Sequence, residues 1–234
     1  MAESRLTPPV RERLVDVAYA RLRANILSGA MPMGFHLREA HLAADMQISR
    51  GPVRLAVQRL VEEGLVTERA HHGAAVRTLD APTLVELYNV RLGLERVAVR
   101  LATRAGMDTA GLRELVQALA DAIEDNDTRA VAELEARFHE SICAGSGNAL
   151  IADMYGRIAG QIQMAIQLVH AGLPATGKVV EEYESIVSAI ESGDESEAAE
   201  AIQTSILAAV ESAVLGLGGN TQYLLSRVVT SPPD

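Results

Sequence analysis

Apolar residues recur every three or four positions along most of the chain, which predicts a protein built mainly from helices. Between residues 36 and 66, two short helical patterns are joined by a turn. In the second pattern an apolar stripe runs from Val53 to Leu60, and Arg50 and Arg54 lie beside it near the helix start. This arrangement is typical of a recognition helix, which enters the major groove of DNA. A helical hairpin with solvated arginines would show the same local pattern.

The neighbouring segments predict a winged helix. A support helix precedes the pair, Ser49 is the expected N-cap of the recognition helix, and Gly64 ends it. Two strand-like runs follow, divided by a tight tip at His71-His72-Gly73. Three helices followed by a two-stranded hairpin form a winged helix, whose hairpin lies beside the minor groove. The predicted helices are at about 13–28, 39–46 and 50–63, and the predicted strands at about 66–69 and 74–78.

The remainder of the chain predicts an all-α antiparallel six-helix bundle, because six amphipathic patterns are joined by short connections. The predicted helices lie at about 83–105, 108–125, 127–145, 148–171, 176–192 and 195–216. The expected organisation is a flexible arm (1–12), a winged helix-turn-helix domain (13–79), a linker (80–82), a helical domain (83–217) and a C-terminal tail (218–234). For the tail, a short helix at about 222–229 and a frayed end are the alternatives.

Charge is divided unevenly along the chain. The net charge of −10 would argue against nucleic acid, but residues 1–79 carry a balance of +3 and residues 80–234 a balance of −13. Since phosphate contacts depend on local arginines, the N-terminal part remains compatible with DNA binding. Aromatic residues make up only 3% of the chain, so the core must be built from Leu, Val, Ile and Ala.

Cysteine usage and hydropathy indicate the compartment. Cys143 is the single cysteine and cannot form an intramolecular disulfide. The sequence shows no apolar run approaching the roughly 20 residues that a membrane span needs, and its first 13 residues lack the apolar core of a signal peptide. We therefore expect a cytoplasmic protein with no membrane partner. Catalytic groups at a motif-like spacing are also lacking, so we do not expect an enzyme.

The series ISRGPVR, LVEEGLV and HHG resembles the N-terminal domain of GntR-family transcriptional regulators, and the helical remainder resembles the FadR-type, or FCD, effector domain. The resemblance covers nearly all of residues 13–215. The family commonly has Thr and Glu where this chain has Gly51 and Leu55, so its operator preference is expected to differ. The DNA contacts expected from this geometry are Arg38 and Arg59 on phosphates, Ser49, Arg50, Gly51 and Arg54 in the major groove, and His72 and Gly73 at the wing tip.

The first bundle helix places Arg91 at or near an apolar stripe. An i, i+4 ion pair with Glu95 would explain it and, if exposed, would be worth only about a few tenths of a kcal/mol. Alternatively, its guanidinium could hold a carboxylate with two hydrogen bonds in a water-poor cavity. In FCD domains a Tyr-x-x-Arg pattern, here Tyr88 to Arg91, supplies an arginine that faces the effector pocket. The resemblance therefore implies a small organic acid effector.

Glu135 and His139 lie four residues apart on the third bundle helix and could share a divalent cation, but two ligands are too few. In metal-binding FCD domains two more histidines come from the fifth and sixth helices, where this chain has Tyr183 and Ser205. Both are poor ligands for zinc-like metals, and His170 is not expected to replace them, so we expect no metal cofactor. The predicted ligand-binding residues are Tyr88, Arg91, Glu135, His139, Tyr183 and Ser205.

These observations predict a homodimeric transcriptional regulator, and more specifically a repressor. Two recognition helices must meet half-sites about one turn apart, so we expect a pseudo-palindromic double-stranded DNA operator. A small organic acid in the bundle would modulate operator binding by favouring one arrangement of the N-terminal domains. Two alternatives stay open. One is a helical metal-binding sensor or enzyme that uses Glu135 and His139 and binds protein through its N-terminal domain; the other is a bundle that serves dimerisation alone.

Overall fold

A computed structural model describes residues 10–69, 73–172 and 175–219. The chain divides into an N-terminal unit (1–78) and a C-terminal unit (79–234). As predicted, the described residues are mainly helical. The N-terminal unit contains α1 (Val10–Leu27), α2 (Glu39–Met46), α3 (Arg50–Glu62), β1 (Val66–Arg69) and β2 (Gly73–Val76). The C-terminal unit contains α4 (Ala81–Arg104), α5 (Ala110–Glu124), α6 (Thr128–Gly145), α7 (Ala149–Gly172), α8 (Gly177–Ser192) and α9 (Glu195–Gly216).

The core of the N-terminal unit forms where α1 packs against α3. The stripe predicted on α3 is buried, and so are Leu22 and Ile26 of α1. Polar contacts support this packing, because Glu63 accepts hydrogen bonds from the Tyr19 hydroxyl and from Arg23 Nε, both at 2.7 Å. Helix α3 is therefore held against α1 along its C-terminal half.

The turn between α2 and α3 depends on Gln47, which ends α2 in the left-handed conformation with φ 56°. Its backbone N–H bonds back to the carbonyls of α2, which satisfies groups that a helix end leaves unpaired. Ser49 occupies the predicted N-cap position of α3 with an extended backbone, but its hydroxyl makes no capping hydrogen bond. That hydroxyl is left available for another partner.

The wing is an antiparallel hairpin whose register runs from Val66 opposite Val76 to Arg69 opposite Gly73. The second strand thus lies at 73–76 rather than the predicted 74–78. Gly73 adopts φ +76°, a conformation that favours glycine. The stretch before α2 pairs with the other edge of β2. Its hydrogen bonds run from Gly34 N–H to Val76 O (2.9 Å), from Val76 N–H to Phe35 O (2.9 Å) and from Leu37 N–H to Ala74 O (2.8 Å).

In the C-terminal unit, the six helices form a bundle in which α4 packs most extensively against α9. Helix α4 begins two residues before its predicted start. Asp80 caps it by accepting a hydrogen bond from the backbone N–H of Thr83 at 3.0 Å, and Pro82 fits its first turn. Residues 80–82, predicted as a linker, are therefore the beginning of a capped helix.

The N-terminal end of the described chain differs from expectation, and the C-terminal tail lies outside the described residues. Helix α1 begins at Val10, inside the arm predicted for residues 1–12, and the predicted helix at 222–229 lies outside the described residues. Helix α9 is long and apolar enough to cross a membrane by length and composition, so the expectation that no such run exists is wrong. In the structure α9 packs against α4, α7 and α8 and buries Ile202, Ile206 and Val210.

Candidate functional site

The exposed side of α3 presents Arg50 and Arg54, as the sequence predicts. Neither side chain has a hydrogen bond or ion pair with another residue that the structure describes. Ser49 is exposed immediately before the helix, and Gly51 is partly exposed between the two arginines. These four positions offer donors and close backbone access at one helix end, which suits contacts to phosphates and base edges.

A cleft of about 470 Å³ connects this part of α3 with the wing. Arg38 before α2, Arg54 and Gln58 of α3, and Gly73 of the wing share its lining, together with the acidic Glu68. Three elements predicted to touch DNA therefore border one concave surface. His72, predicted at the wing tip, lies outside the described residues.

Unlike Arg50 and Arg54, Arg59 contacts side chains of α1. Its Nη1 lies 2.6 Å from Asp16 Oδ1, and its guanidinium lies 4.9 Å from the centre of the Tyr19 ring. The hydrogen bond to Asp16 raises the pKa of Arg59. Both partners belong to α1, and the Arg59 and Asp16 side chains are 48% and 66% exposed, so a DNA phosphate would compete with a weakly held anion for Arg59.

The C-terminal unit contains a buried polar chain contributed by α4, α6 and α8. Arg91 Nε donates to Glu95 Oε1 at 2.7 Å, His139 Nδ1 lies 2.6 Å from Glu95 Oε2, and His139 Nε2 lies 2.9 Å from the Tyr183 hydroxyl. All four residues are at most 3% exposed. The i, i+4 pair considered from sequence is thus formed, but in the core rather than on the surface.

The charge states of this chain follow from its contacts. Burial would raise the pKa of Glu95, but Arg91 and His139 outweigh it and lower the pKa to about 2. Burial lowers the pKa of His139, and nearby Arg91 lowers it further, whereas burial raises the pKa of Tyr183. At neutral pH a neutral His139 therefore donates from Nδ1 to the Glu95 carboxylate and accepts at Nε2 from the Tyr183 hydroxyl.

A small cavity of about 180 Å³ adjoins the polar chain. It is lined by five of the six predicted ligand-binding residues: Arg91, Glu135, His139, Tyr183 and Ser205. The sixth, Tyr88, is buried with its ring centre 5.2 Å from the Arg91 guanidinium and does not line the cavity. Within the described residues Arg91 Nη1 and the hydroxyls of Tyr88 and Tyr155 are buried without a hydrogen-bond partner. An arginine with one unpartnered nitrogen therefore contributes to the lining of this cavity.

Sequence reasoning missed two contributors to this cavity, His170 and Lys178. His170 Nε2 lies 3.0 Å from Glu135 Oε1, and both side chains are buried. Lys178 is exposed and lies 3.9 Å from Glu182. Arg91 and Glu95 are linked by their i, i+4 spacing, but no local spacing links Glu135 to a histidine 35 positions away.

The side chains around the cavity do not fit a metal ion. Glu135 and His139 take different partners, and both ring nitrogens of His139 are already engaged. Across the described ranges, no group of three His, Cys, Asp or Glu side chains is arranged to hold a metal. The hydroxyls of Tyr183 and Ser205 add no ligand of the kind that zinc-like metals prefer.

Comparison with known proteins identifies both units. The model of "Bacterial regulatory proteins, gntR family" matches residues 14–76, and that of the "FCD domain" matches residues 86–208. The chain is 31% identical to the probable D-xylose utilization operon transcriptional repressor of Paenarthrobacter nicotinovorans over 72% of this chain and 75% of that protein. It is 29% identical to the gluconate operon transcriptional repressor of Bacillus licheniformis over 63% of this chain and 61% of that protein.

A solved structure shares the fold. The crystal structure of a GntR transcriptional regulator from Rhodococcus sp. RHA1 superposes with a TM-score of 0.77, covering 89% of this chain and 99% of that one at 23% identity. The matched families consist of regulators rather than enzymes, and the FCD domain implies effector binding. The chain therefore belongs to the GntR family of bacterial transcriptional regulators, with a DNA-binding winged helix followed by an effector-binding FCD domain.

Proposed function

We propose that this regulator is a cytoplasmic, homodimeric repressor of the FadR subfamily, which binds a pseudo-palindromic operator and responds to a small organic acid. The observation that carries the DNA assignment is the exposure of Arg50 and Arg54 without a partner among the described residues, on the family's DNA-binding unit. Both arginines lie in the first two turns of α3, the part of a recognition helix that reaches base edges.

The lining of the cleft and the exposure of Arg50 and Arg54 support the proposed DNA contacts. Arg50 and Arg54 read base edges, since a guanidinium can pair with guanine through two hydrogen bonds. Arg38, at the start of α2, binds a phosphate across the same cleft. Gly51 lets the backbone approach, and Ser49 offers a hydroxyl that capping does not use. His72 and Gly73 contact the minor groove, and Arg59 binds a phosphate in competition with Asp16, which engages its Nη1.

Replacing Arg54 with alanine should weaken binding to the cognate operator by about 1–3 kcal/mol, or roughly fivefold to 150-fold, because a base contact is lost. The operator would be selected from the protein's own upstream DNA, and Kd measured by fluorescence anisotropy. Arg21→Ala is the matched control, since Arg21 is an exposed arginine of the same unit on α1. If Arg50→Ala and Arg54→Ala bind every fragment as well as wild type does, the DNA assignment is wrong.

The cavity supports the effector assignment. Arg91 Nη1 is buried and unpartnered within the described residues, so a ligand carboxylate can bond to it without breaking the pair with Glu95. The volume of about 180 Å³ lies below the roughly 300–1,000 Å³ typical of sites for drug-sized ligands. Ser205 and Tyr183 add hydroxyls to the lining. This chemistry fits a small carboxylic or hydroxycarboxylic acid.

A panel of small carboxylic and hydroxycarboxylic acids at millimolar concentration should contain a compound that raises the thermal midpoint of the wild-type protein. At a concentration 100 times Kd the stabilisation is about 2.7 kcal/mol. The primary amide of the same acid should give no shift, because it cannot pair with Arg91 as an anion. Ser205→Val, which narrows the cavity and leaves Arg91 intact, should also remove the shift. If no acid shifts the wild type, or the amide binds equally well, the effector assignment is wrong.

A further inference from the structure

One face of α4 remains uncovered in the single chain. Glu86, Val90, Gly93, Val97 and Arg100 are all exposed, and Val90 and Val97 are each 50% exposed. These positions follow one another at intervals of four, three, four and three residues, so they form a single stripe along the helix. Two β-branched apolar side chains at the centre of an exposed stripe indicate a surface that another molecule covers.

At the middle of the stripe another helix can approach α4 closely. At Gly93 an added Cβ would meet no described atom within 4 Å, so another helix can come near the backbone there. Val90 and Val97 lie on either side of this glycine. Leu94 and Leu101, both partly exposed, widen the apolar surface. Small and β-branched residues together suit helix packing at short distance.

The ends of the stripe carry opposite charges. Glu86 lies at the N-terminal end and Arg100 at the C-terminal end, about 21 Å apart at a rise of about 1.5 Å per residue. Arg104 follows Arg100 one turn later and is hydrogen-bonded to Glu195 at 2.9 and 2.8 Å. Arg100 also lies close enough to Glu195 to help lower its pKa, after the larger effect of the hydrogen bond from Arg104. The stripe is therefore complementary to its own reversed copy.

We propose that α4 is the centre of a two-fold interface between two copies of this chain, with the two α4 helices packed antiparallel. With the two-fold axis between Gly93 and Leu94, Val90 lies opposite the partner's Val97. Glu86 then lies opposite the position next to the partner's Arg100. The same patch then serves both subunits, as a two-fold dimer requires. This inference rests on the proposed homodimeric function and names the surface that carries it.

Charge reversal tests the antiparallel arrangement. Glu86→Arg sets arginine against arginine in both copies, and Arg100→Glu sets glutamate against glutamate, so each should raise the dimer dissociation constant about tenfold or more. The double variant Glu86→Arg/Arg100→Glu restores opposite charges across the interface and should return the constant to near the wild-type value. Sedimentation equilibrium gives the constants, and circular dichroism verifies that the exposed substitutions leave the fold intact.

A cysteine placed beside the axis tests the register. Gly93→Cys should form a disulfide-linked dimer under mild oxidation, because the two thiols lie near the symmetry axis. Gly156→Cys is the matched control: Gly156 is an exposed helical glycine on α7 with no described atom within 4 Å of an added Cβ. The natural Cys143 is buried, and burial raises the pKa of its thiol, so it should not react.

The possible results separate this inference from the proposed function. A wild-type protein that stays monomeric at every concentration would overturn the homodimer and the interface together. A wild-type dimer whose stability is unchanged by either single charge reversal, and which Gly93→Cys links no better than Gly156→Cys, would overturn the interface and leave the homodimer standing. Weakening by both single variants without recovery in the double variant would contradict the antiparallel arrangement.

Discussion

Glu95→Ala is expected to lower the free energy of unfolding by about 3–5 kcal/mol, because removing one partner of a buried pair leaves an uncompensated charge. Glu95 is fully buried, and both its carboxylate oxygens are used, one by Arg91 and one by His139. The alanine variant would strand the guanidinium and the imidazole N–H in the core. Urea unfolding followed by circular dichroism would measure the loss.

The chain offers a matched control on its surface. Arg157 and Asp153 also form an i, i+4 pair, at 3.0 Å, but their side chains are 75% and 58% exposed. Asp153→Ala should therefore cost less than about 1 kcal/mol. The double variant Arg91→Met/Glu95→Leu, which replaces the charges with apolar groups, should recover most of the stability lost in Glu95→Ala. A cost for Glu95→Ala no larger than that for Asp153→Ala would contradict the buried role.

Acid should destabilise the C-terminal unit in two steps. Burial lowers the pKa of His139 below its ordinary 6.5. The contribution of neutral His139 to the free energy of unfolding is therefore fully present above pH 6.5 and is lost as the pH falls below 6.5. The pKa of Glu95 falls from 4.5 to about 2, so its contribution is present above pH 4.5 and is lost between pH 4.5 and 2. At about 1.4 kcal/mol per pH unit, the second step is worth about 3 kcal/mol.

The two steps can be assigned by substitution. His139→Gln keeps a donor and an acceptor but does not titrate, so it should remove the decrease that begins near pH 6.5. Glu95→Gln should flatten the curve below pH 4.5. Unfolding free energies from pH 8 down to the acid transition, with Asp153→Asn as the exposed control, provide the comparison. If the curve of His139→Gln runs parallel to that of wild type between pH 6.5 and 5, His139 does not carry the first step.

The N-terminal unit could be predicted in most of its parts from periodicity and turn chemistry. The buried stripe of α3, the exposure of Arg50 and Arg54, and the glycine stop at Gly64 depend on residues close in sequence, where local rules apply. Arg59 could not be placed in this way. Its partner Asp16 lies 43 positions away, and only the packing of α1 against α3 brings the two together.

The cavity, too, could be predicted from the sequence only in part. The i, i+4 spacing of Arg91 and Glu95 was visible in the sequence, but whether their helix face is buried depends on the neighbouring helices. His139 was recognised as a candidate, yet both its partners, Glu95 and Tyr183, lie 44 positions away. From the sequence, His139 could also have been a metal ligand. Only the three-dimensional arrangement shows that both of its ring nitrogens are used in hydrogen bonds.

Because residues 34–37 pair with β2, the segment between α1 and α2 cannot vary freely in length. Side chains alternate along this stretch, so Leu37 is buried while its neighbour His36 is exposed. Deleting one residue within the paired stretch would shift the alternation by one and exchange their environments. Insertions and deletions between α1 and α2 should therefore be tolerated only on the α1 side of Gly34, however irregular that loop looks in sequence.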